Sequence, residues 1–220
     1  LNKLLISHNK STGLMMSPHI RNIRERIMVD ETMISEEEFA DLFERINSID
    51  KAQSNGDLSY FEILTIMAYE YFALKKVDYA VIETGLGGLF DATNTIKSKS
   101  KLSIITRLGL DHVHILGNTI LKIAYQKAGI INEGGKVLLL EQNKSAMNEV
   151  KRIVQIKKAT MKIVKRLKTI DKFNNIALWE NLPVKIGLYG QHQMENAALA
   201  LEAIEFLGKR DGFILNELLV

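Results

Sequence analysis

The sequence contains no cysteine, which rules out disulfides and thiolate metal sites within these residues. A thiol-free chain fits a reducing compartment. Proline is scarce, with only Pro18 and Pro183, so few strands or helices are interrupted. No apolar run approaches the length of a membrane span. Neither sign of charge dominates: 29 Lys and Arg oppose 26 Asp and Glu, a net charge of +3. That imbalance is too small to argue for nucleic acid. Neither a membrane nor a nucleic acid is therefore expected as a partner. Also missing is the phosphate-binding pattern Gly-x-x-x-x-Gly-Lys-[Ser/Thr]. Gly-Lys occurs at Gly135–Lys136 and Gly208–Lys209, and Val137 and Arg210 follow.

What is present describes a globular chain. Hydrophobic residues make up 46% of 220, enough for one good-sized core or one and a half domains. Charged residues make up 25%, the globular average, which argues against disorder. Leu1–Ser7 reads as the tail of a helix whose start lies upstream. Gly13–Met16 reads as a short buried strand stopped by Ser17-Pro18-His19, and Arg24–Asp30 as part of a small hairpin. Ser35-x-x-Glu38 and Ser59-x-x-Glu62 are capping boxes opening two helices, the second running to about Lys76. Asp50–Asp57 is the most loop-like segment.

Val77–Thr84 reads as a buried strand, with Val81 and Ile82 side by side. Leu102–Thr106 and Lys136–Leu140 are further strands; Thr119–Ala128, stopped by Gly129, and Ser145–Ile156 are helices. Met161–Ile170 and Ile176–Leu188 read as strands whose direction is open. Gln191–Leu207 is a long helix ending at Gly208. The alternation predicts an α/β fold with a mostly parallel sheet flanked by helices and room for a small antiparallel portion. In such sheets ligands bind beyond the carboxyl ends of the strands, which directs attention to Ser17–His19, Glu83–Asn94 and Arg107–Gly117.

Each of those segments has two readings. Glu83-Thr84-Gly85-Leu86-Gly87-Gly88 resembles half of a dinucleotide fingerprint, but Phe90 stands where the third glycine belongs. A carboxylate ending a buried strand is costly unless paired or metal-bound; the plainer alternative is a tight turn whose Glu bonds backbone amides. Gly109-Leu110-Asp111-His112-Val113-His114 places two histidines after a strand without a zinc signature. Lys127-Ala128-Gly129-Ile130 also reads as ordinary helix-end chemistry. Gln191–Ala200 reads as a polar helix start with an alanine-rich packing face. Nine basic residues between Lys151 and Lys172 face only Asp171, a solvated surface or, as second choice, an anion site.

The order of these segments carries more than any one of them. Ser17-Pro18-His19, Glu25-Arg26-Ile27, Tyr60-Phe61-Glu62, Glu83-x-Gly85-Leu86-Gly87-Gly88-x-x-Asp91-Ala92-Thr93-Asn94, Gly109-Leu110-Asp111-His112, Lys127-Ala128-Gly129-Ile130 and His192…Asn196-Ala197-Ala198 form a series. It resembles the folylpolyglutamate synthase and dihydrofolate synthase family of the Mur ligase superfamily, across nearly the whole chain. The resemblance implies a central ATP-binding domain over residues 1–210, with 211–220 starting a linker to a carboxyl-terminal domain. It places the phosphate-binding loop upstream of Leu1.

The implied activity is ATP-dependent addition of L-glutamate to folate or dihydropteroate through an acyl phosphate. Implied cofactors are ATP and magnesium. Glu83, Ser17 and His112 would form the metal site near the γ-phosphate. Lys127 would be carbamylated and, with His112, catalytic. Ser59, Phe61, Asp91 and Ala92 would contact a pterin, and Asn196 the adenine. A cytoplasmic monomer is the expectation. Leu89 stands where the family usually has Arg, and Arg107 where it has a small or amidic residue. These departures, with the missing loop, keep open a degenerate non-catalytic member, and the shared mechanism keeps open a Mur-type peptidoglycan ligase.

Overall fold

A computed structural model describes residues 1–54 and 56–216, in two compact units. The last four residues of the expected linker, and one residue of the segment read as a loop at 50–57, lie outside the described residues. No helix among the described residues is long and apolar enough to cross a membrane.

The first unit comprises Asn2–Leu86 with Asp91–Thr95. Helix α1 (Asn2–Ser7) leads into strand β1 (Thr12–Met15). A 3-10 turn over Ile23–Arg26 then precedes β2 (Ile27–Val29) and β3 (Thr32–Met33). Helices α2 (Glu36–Ser54) and α3 (Tyr60–Lys75) follow, then β4 (Tyr79–Ile82). Both helices open as expected. The Ser35 amide N–H and hydroxyl donate to Glu38 Oε2, and the Ser59 side chain accepts from the Glu62 amide. The polar stretch from Asp50 is helical through Ser54, a correction to the loop reading. Asp50 is buried, and its Oδ2 accepts the Leu58 amide at 3.3 Å.

Strand order in this unit is β3-β2-β1-β4, with β1 and β4 parallel and the others antiparallel. Met15, Ile27, Ile34, Leu42, Leu64, Met67 and Phe72 form its core. Each such side chain withdrawn from water contributes about 1.5–3 kcal/mol. Val81 and Ile82 are only half-buried and Ala80 is exposed, so β4 is less enclosed than its sequence suggested. Register pairs Met15 with Ile82. Ser17 and Glu83 therefore follow the last paired residues of adjacent strands.

The second unit holds Gly87–Phe90 and the chain from Ile96 onward. Its elements are β5 (Leu102–Ile105), α4 (Val113–Leu116), α5 (Ile120–Ala128), β6 (Lys136–Leu140), α6 (Lys144–Ile156), β7 (Thr160–Val164), β8 (Lys168–Asp171), β9 (Ile176–Trp179), β10 (Leu182–Lys185) and α7 (Gln191–Asp211). Strands β5-β6-β7 form an all-parallel sheet, as expected of strands joined by helical crossovers. Ile105, Leu139, Ala124, Ala128 and Val150 pack α5 and α6 against it. Strands β8-β9-β10 make a separate antiparallel sheet, so the antiparallel share is larger than the sequence suggested.

Two glycines behave differently from expectation. Helix α7 runs through Gly208 and stops at Gly212, whose φ of 75° is left-handed. A Cβ on Gly208 would lie 3.0 Å from the Phe213 carbonyl oxygen, so Gly208 sits at a tight approach inside the helix and not at a chain reversal. Gly129 does end α5, but in the right-handed region at φ −59°.

Candidate functional site

In the first unit the site grows from the ends of β1 and β4. The Glu83 amide donates to the Met15 carbonyl at 2.9 Å, continuing the ladder by one residue. The Ser17 amide donates to Glu83 Oε2 at 2.7 Å. Glu83 itself is solvent-exposed, which corrects the expectation of a buried carboxylate. The loop after Ser17 is knit together locally. Glu25 accepts amides from Ile20, Arg21 and Asn22 at 2.7, 3.0 and 2.9 Å, and Arg26 Nε lies 2.9 Å from His19 Nδ1. The Ile20 amide, chiefly, holds the Glu25 carboxyl below the usual range.

Asp91 is the hub of the next segment. Its Oδ2 accepts the Leu86 amide at 2.7 Å; its Oδ1 accepts the Thr93 amide at 3.0 Å and the Thr93 hydroxyl. Ala92 begins a 3-10 turn over Ala92–Thr95. Tyr69 Oη from α3 donates to the Thr93 carbonyl at 2.6 Å. Burial, chiefly, raises the Tyr69 hydroxyl above its ordinary value, with the nearby Asp91 charge acting in the same direction. Phe61 lies flush against Gly85, where a Cβ would come 2.5 Å from Phe61 Cζ. Ser59 caps α3. Phe61, Gly85 and Asp91 are thus brought together, while the Ser59 hydroxyl is engaged by Glu62.

In the second unit, the glycine turn and the lysine segment interlock. A Cβ on Gly88 would lie 2.8 Å from the Gln126 carbonyl oxygen and 3.2 Å from Lys127 Cα. The Leu89 amide donates to that same Gln126 carbonyl at 2.8 Å, satisfying a helix-end acceptor. A Cβ on Gly129 would overlap Leu89 Cα and Cβ. Lys127 is half-buried in the last turn of α5 and makes no ion pair among the described residues. Leu89, in the position of the expected Arg, packs on Gly129.

His112 has φ 47° and ψ 40°, a left-handed conformation that His, Asn and Asp adopt more readily than other non-glycine residues. Its amide donates to Asp111 Oδ1 at 2.8 Å, and Nε2 lies 3.6 Å from Asp111 Oδ2. Asn196 is exposed in the second turn of α7, beside buried Glu195. The three proposed metal residues divide between the units, Ser17 and Glu83 in the first and His112 in the second. Among the described residues no group of three or more His, Asp or Glu could cage a metal ion.

Sequence reasoning missed one constellation. Arg107 forms a two-pronged pair with Glu195, Nε to Oε2 at 2.7 Å and Nη2 to Oε1. Gln142 accepts the Leu108 amide at 2.9 Å and donates to the Thr106 carbonyl at 2.8 Å, bracketing Arg107. Arg107 was legible as a departure from the family pattern; Glu195 and Gln142 gave no signal.

Strands with flanking helices, and these loops beyond their carboxyl ends, define an α/β domain, and the Mur ligase middle domain profile matches residues 31–204. The chain belongs to the Mur ligase middle domain family. Among curated proteins it is 38% identical over 207 residues to the probable folylpolyglutamate synthase of Schizosaccharomyces pombe, covering 92% of this chain and 38% of that one. It is 35% identical to the dihydrofolate synthase/folylpolyglutamate synthase of Bacillus subtilis, covering 91% of this chain and 50% of that one. The solved FPGS–AMPPCP–folate complex matches with a TM-score of 0.86 at 28% identity, over 99% of this chain and 56% of that one. The chain thus spans about two fifths to a half of these relatives' lengths.

Proposed function

We propose that this chain is the central part of an ATP-dependent ligase that joins L-glutamate to folate or dihydropteroate. The observation that carries the reading is the close approach of Gly88 to the backbone of Gln126 and Lys127. It supports the reading because two segments that match the family's motifs prove mutually dependent in packing. The relatives are folylpolyglutamate synthases, and one solved neighbour holds an ATP analogue together with folate.

In the proposed reaction a substrate carboxylate oxygen attacks the γ-phosphorus, and the bond from that phosphorus to ADP breaks. The glutamate amine then attacks the acyl carbon, expelling phosphate and losing a proton. The difficulty is holding anions together, so positioning and charge stabilisation supply the catalysis. Asn196 is assigned to the adenine. Phe61 would stack on a pterin beside Gly85, with Asp91, Ala92 and Ser59 around it. The three donors already on Asp91 assign it first to shaping that loop, leaving its remaining acceptor capacity for the pterin.

Magnesium suits the Ser17–Glu83 pair, since it binds through one or two carboxylates and substrate phosphates and retains water. Glu83 is exposed and spends one Oε2 contact on the Ser17 amide. The ion would neutralise charge on the transferring phosphoryl group. His112, a nitrogen donor poorly matched to a hard cation, is assigned to the γ-phosphate side. Lys127, unpaired by any carboxylate among the described residues, is the amine assigned to carbamylation. The reading takes its phosphate-binding loop from sequence outside residues 1–220, and residues 1–210 as the ATP-binding domain.

A second reading, a non-catalytic member, is favoured by Leu89 packed where Arg was expected. The experiment is ADP release from the intact protein. Release that requires glutamate and a pteroate together supports the ligase; no release under any combination supports the second reading.

A further inference from the structure

We propose that Arg107 and Glu195 are a positioning pair, which fixes the start of α7, and with it Asn196, against the end of β5. This rests on the ligase reading above, in which Asn196 faces the nucleotide. Glu195 is only 4% exposed, and a carboxylate in that position is costly without a hydrogen-bonded cation. Arg107 supplies it through two parallel N–H···O contacts, the geometry in which a guanidinium fork matches a carboxylate. The pairing holds the Glu195 carboxyl below its usual range, with Arg166 and His192 adding weaker attraction.

The Arg107 end is rigid for a separate reason. Gln142, just past β6, bonds the backbone on both sides of it, at Thr106 and Leu108. Leu108 is buried, which fixes the same turn from its apolar side. On α7, Met194, Ala198 and Leu199 are buried and Asn196 is exposed. Successive helical residues are rotated by about 100°. Glu195 pointing inward, together with buried Met194, Ala198 and Leu199, therefore sets where Asn196 points. Without Arg107, Glu195 either takes up a proton or turns outward, and turning outward rotates or frays the first two turns of α7. The pair links residues 88 positions apart in sequence.

The test uses the intact protein with four variants: Arg107→Ser, Arg107→Lys, Glu195→Gln and the Arg107→Ser/Glu195→Gln double. Direct ATP binding, KM for ATP, kcat and the thermal midpoint are measured for each. Arg107→Ser is expected to weaken ATP binding about tenfold, the equivalent of about 1.4 kcal/mol. The rise should fall on KM for ATP more than on kcat. Arg107→Lys, which keeps the charge but not the fork, should recover part of it. The double variant should bind no worse than Arg107→Ser alone, since the amide that replaces the Glu195 carboxylate carries no buried charge. A merely structural pair would lower the midpoint and leave ATP affinity of the folded protein at the parent value; that result overturns the proposal. Parent protein that does not bind ATP overturns the ligase reading and this assignment with it. Parent binding retained unchanged in Arg107→Ser and Glu195→Gln overturns the pair alone.

Discussion

Replacing Gly129 with alanine isolates the packing between the glycine turn and the lysine helix. Gly129 has φ −59° and ψ −19°, so alanine meets no backbone penalty there. By conformational entropy alone the change would stabilise by about 0.4–1 kcal/mol. The new Cβ, however, would overlap Leu89 Cα and Cβ and lie 2.8 Å from Leu89 Cδ1. Leu89 cannot simply retreat. Its amide is bonded to the Gln126 carbonyl, and Gly88 abuts the backbone of Gln126 and Lys127. Overpacking of this kind costs about 1–3 kcal/mol, and with both Leu89 and Gly88 held in place the cost falls in the upper part of that range, so a net loss of about 1–2.6 kcal/mol remains. The matched control is Gly109→Ala, where nothing lies within 4 Å of the added Cβ and no positive φ intervenes. That variant should be neutral or gain about 0.4–1 kcal/mol. Equilibrium urea unfolding at fixed pH, read by the shift in midpoint at unchanged slope, measures both. Gly129→Ala at or above parent stability, or the two variants shifting together, would refute the interlock. Ligase activity should fall with Gly129→Ala as well, because Lys127 is carried on the turn that must move.

Three further outcomes follow from the same geometry. Asp91→Asn sets an amide N–H₂ against donors from Leu86 or Thr93, and should destabilise by about 1–3 kcal/mol in thermal unfolding, with folate affinity falling alongside. Ser59→Ala removes a capping side chain and should cost about 1 kcal/mol; a rise in KM for folate beyond what that loss explains would assign Ser59 to the substrate as well. Burial, chiefly, and then nearby Lys97 lower Lys101 to about 8 from its ordinary 10.5. The unfolded chain then binds more protons between those values, so this group's contribution to stability rises with pH through that window. The urea midpoint of the parent should therefore climb relative to Lys101→Met from pH 7 to pH 10, and an unchanged difference would contradict the assignment.

Element positions were legible where one local rule acted alone. Capping boxes at Ser35 and Ser59 opened helices where expected, and Lys136–Leu140 is a strand as read. Errors came where a residue type serves two purposes. Gly208 looked like a helix stop because glycine is the usual terminator, yet it lies inside α7 where the Phe213 carbonyl comes close. The polar stretch after Asp50 looked like loop, but a helix with one solvated face carries such residues freely. Glu83 was expected to be buried because its strand is apolar; β4 proves only partly covered. Motif order led to the segments of the candidate site, and geometry then linked Gly88 to Lys127 and Phe61 to Gly85. The Arg107–Glu195 pair was invisible because nothing local in the sequence connects residues so far apart.

The central claim is tested most directly by supplying labelled glutamate and MgATP to the intact protein, with folate, dihydropteroate or neither as acceptor. The account predicts label in the acceptor, one ADP released per glutamate joined, and loss of both when Lys127 is replaced by alanine. ATP hydrolysis that ignores the acceptor, or no transfer to either pteroate by folded protein, would contradict it.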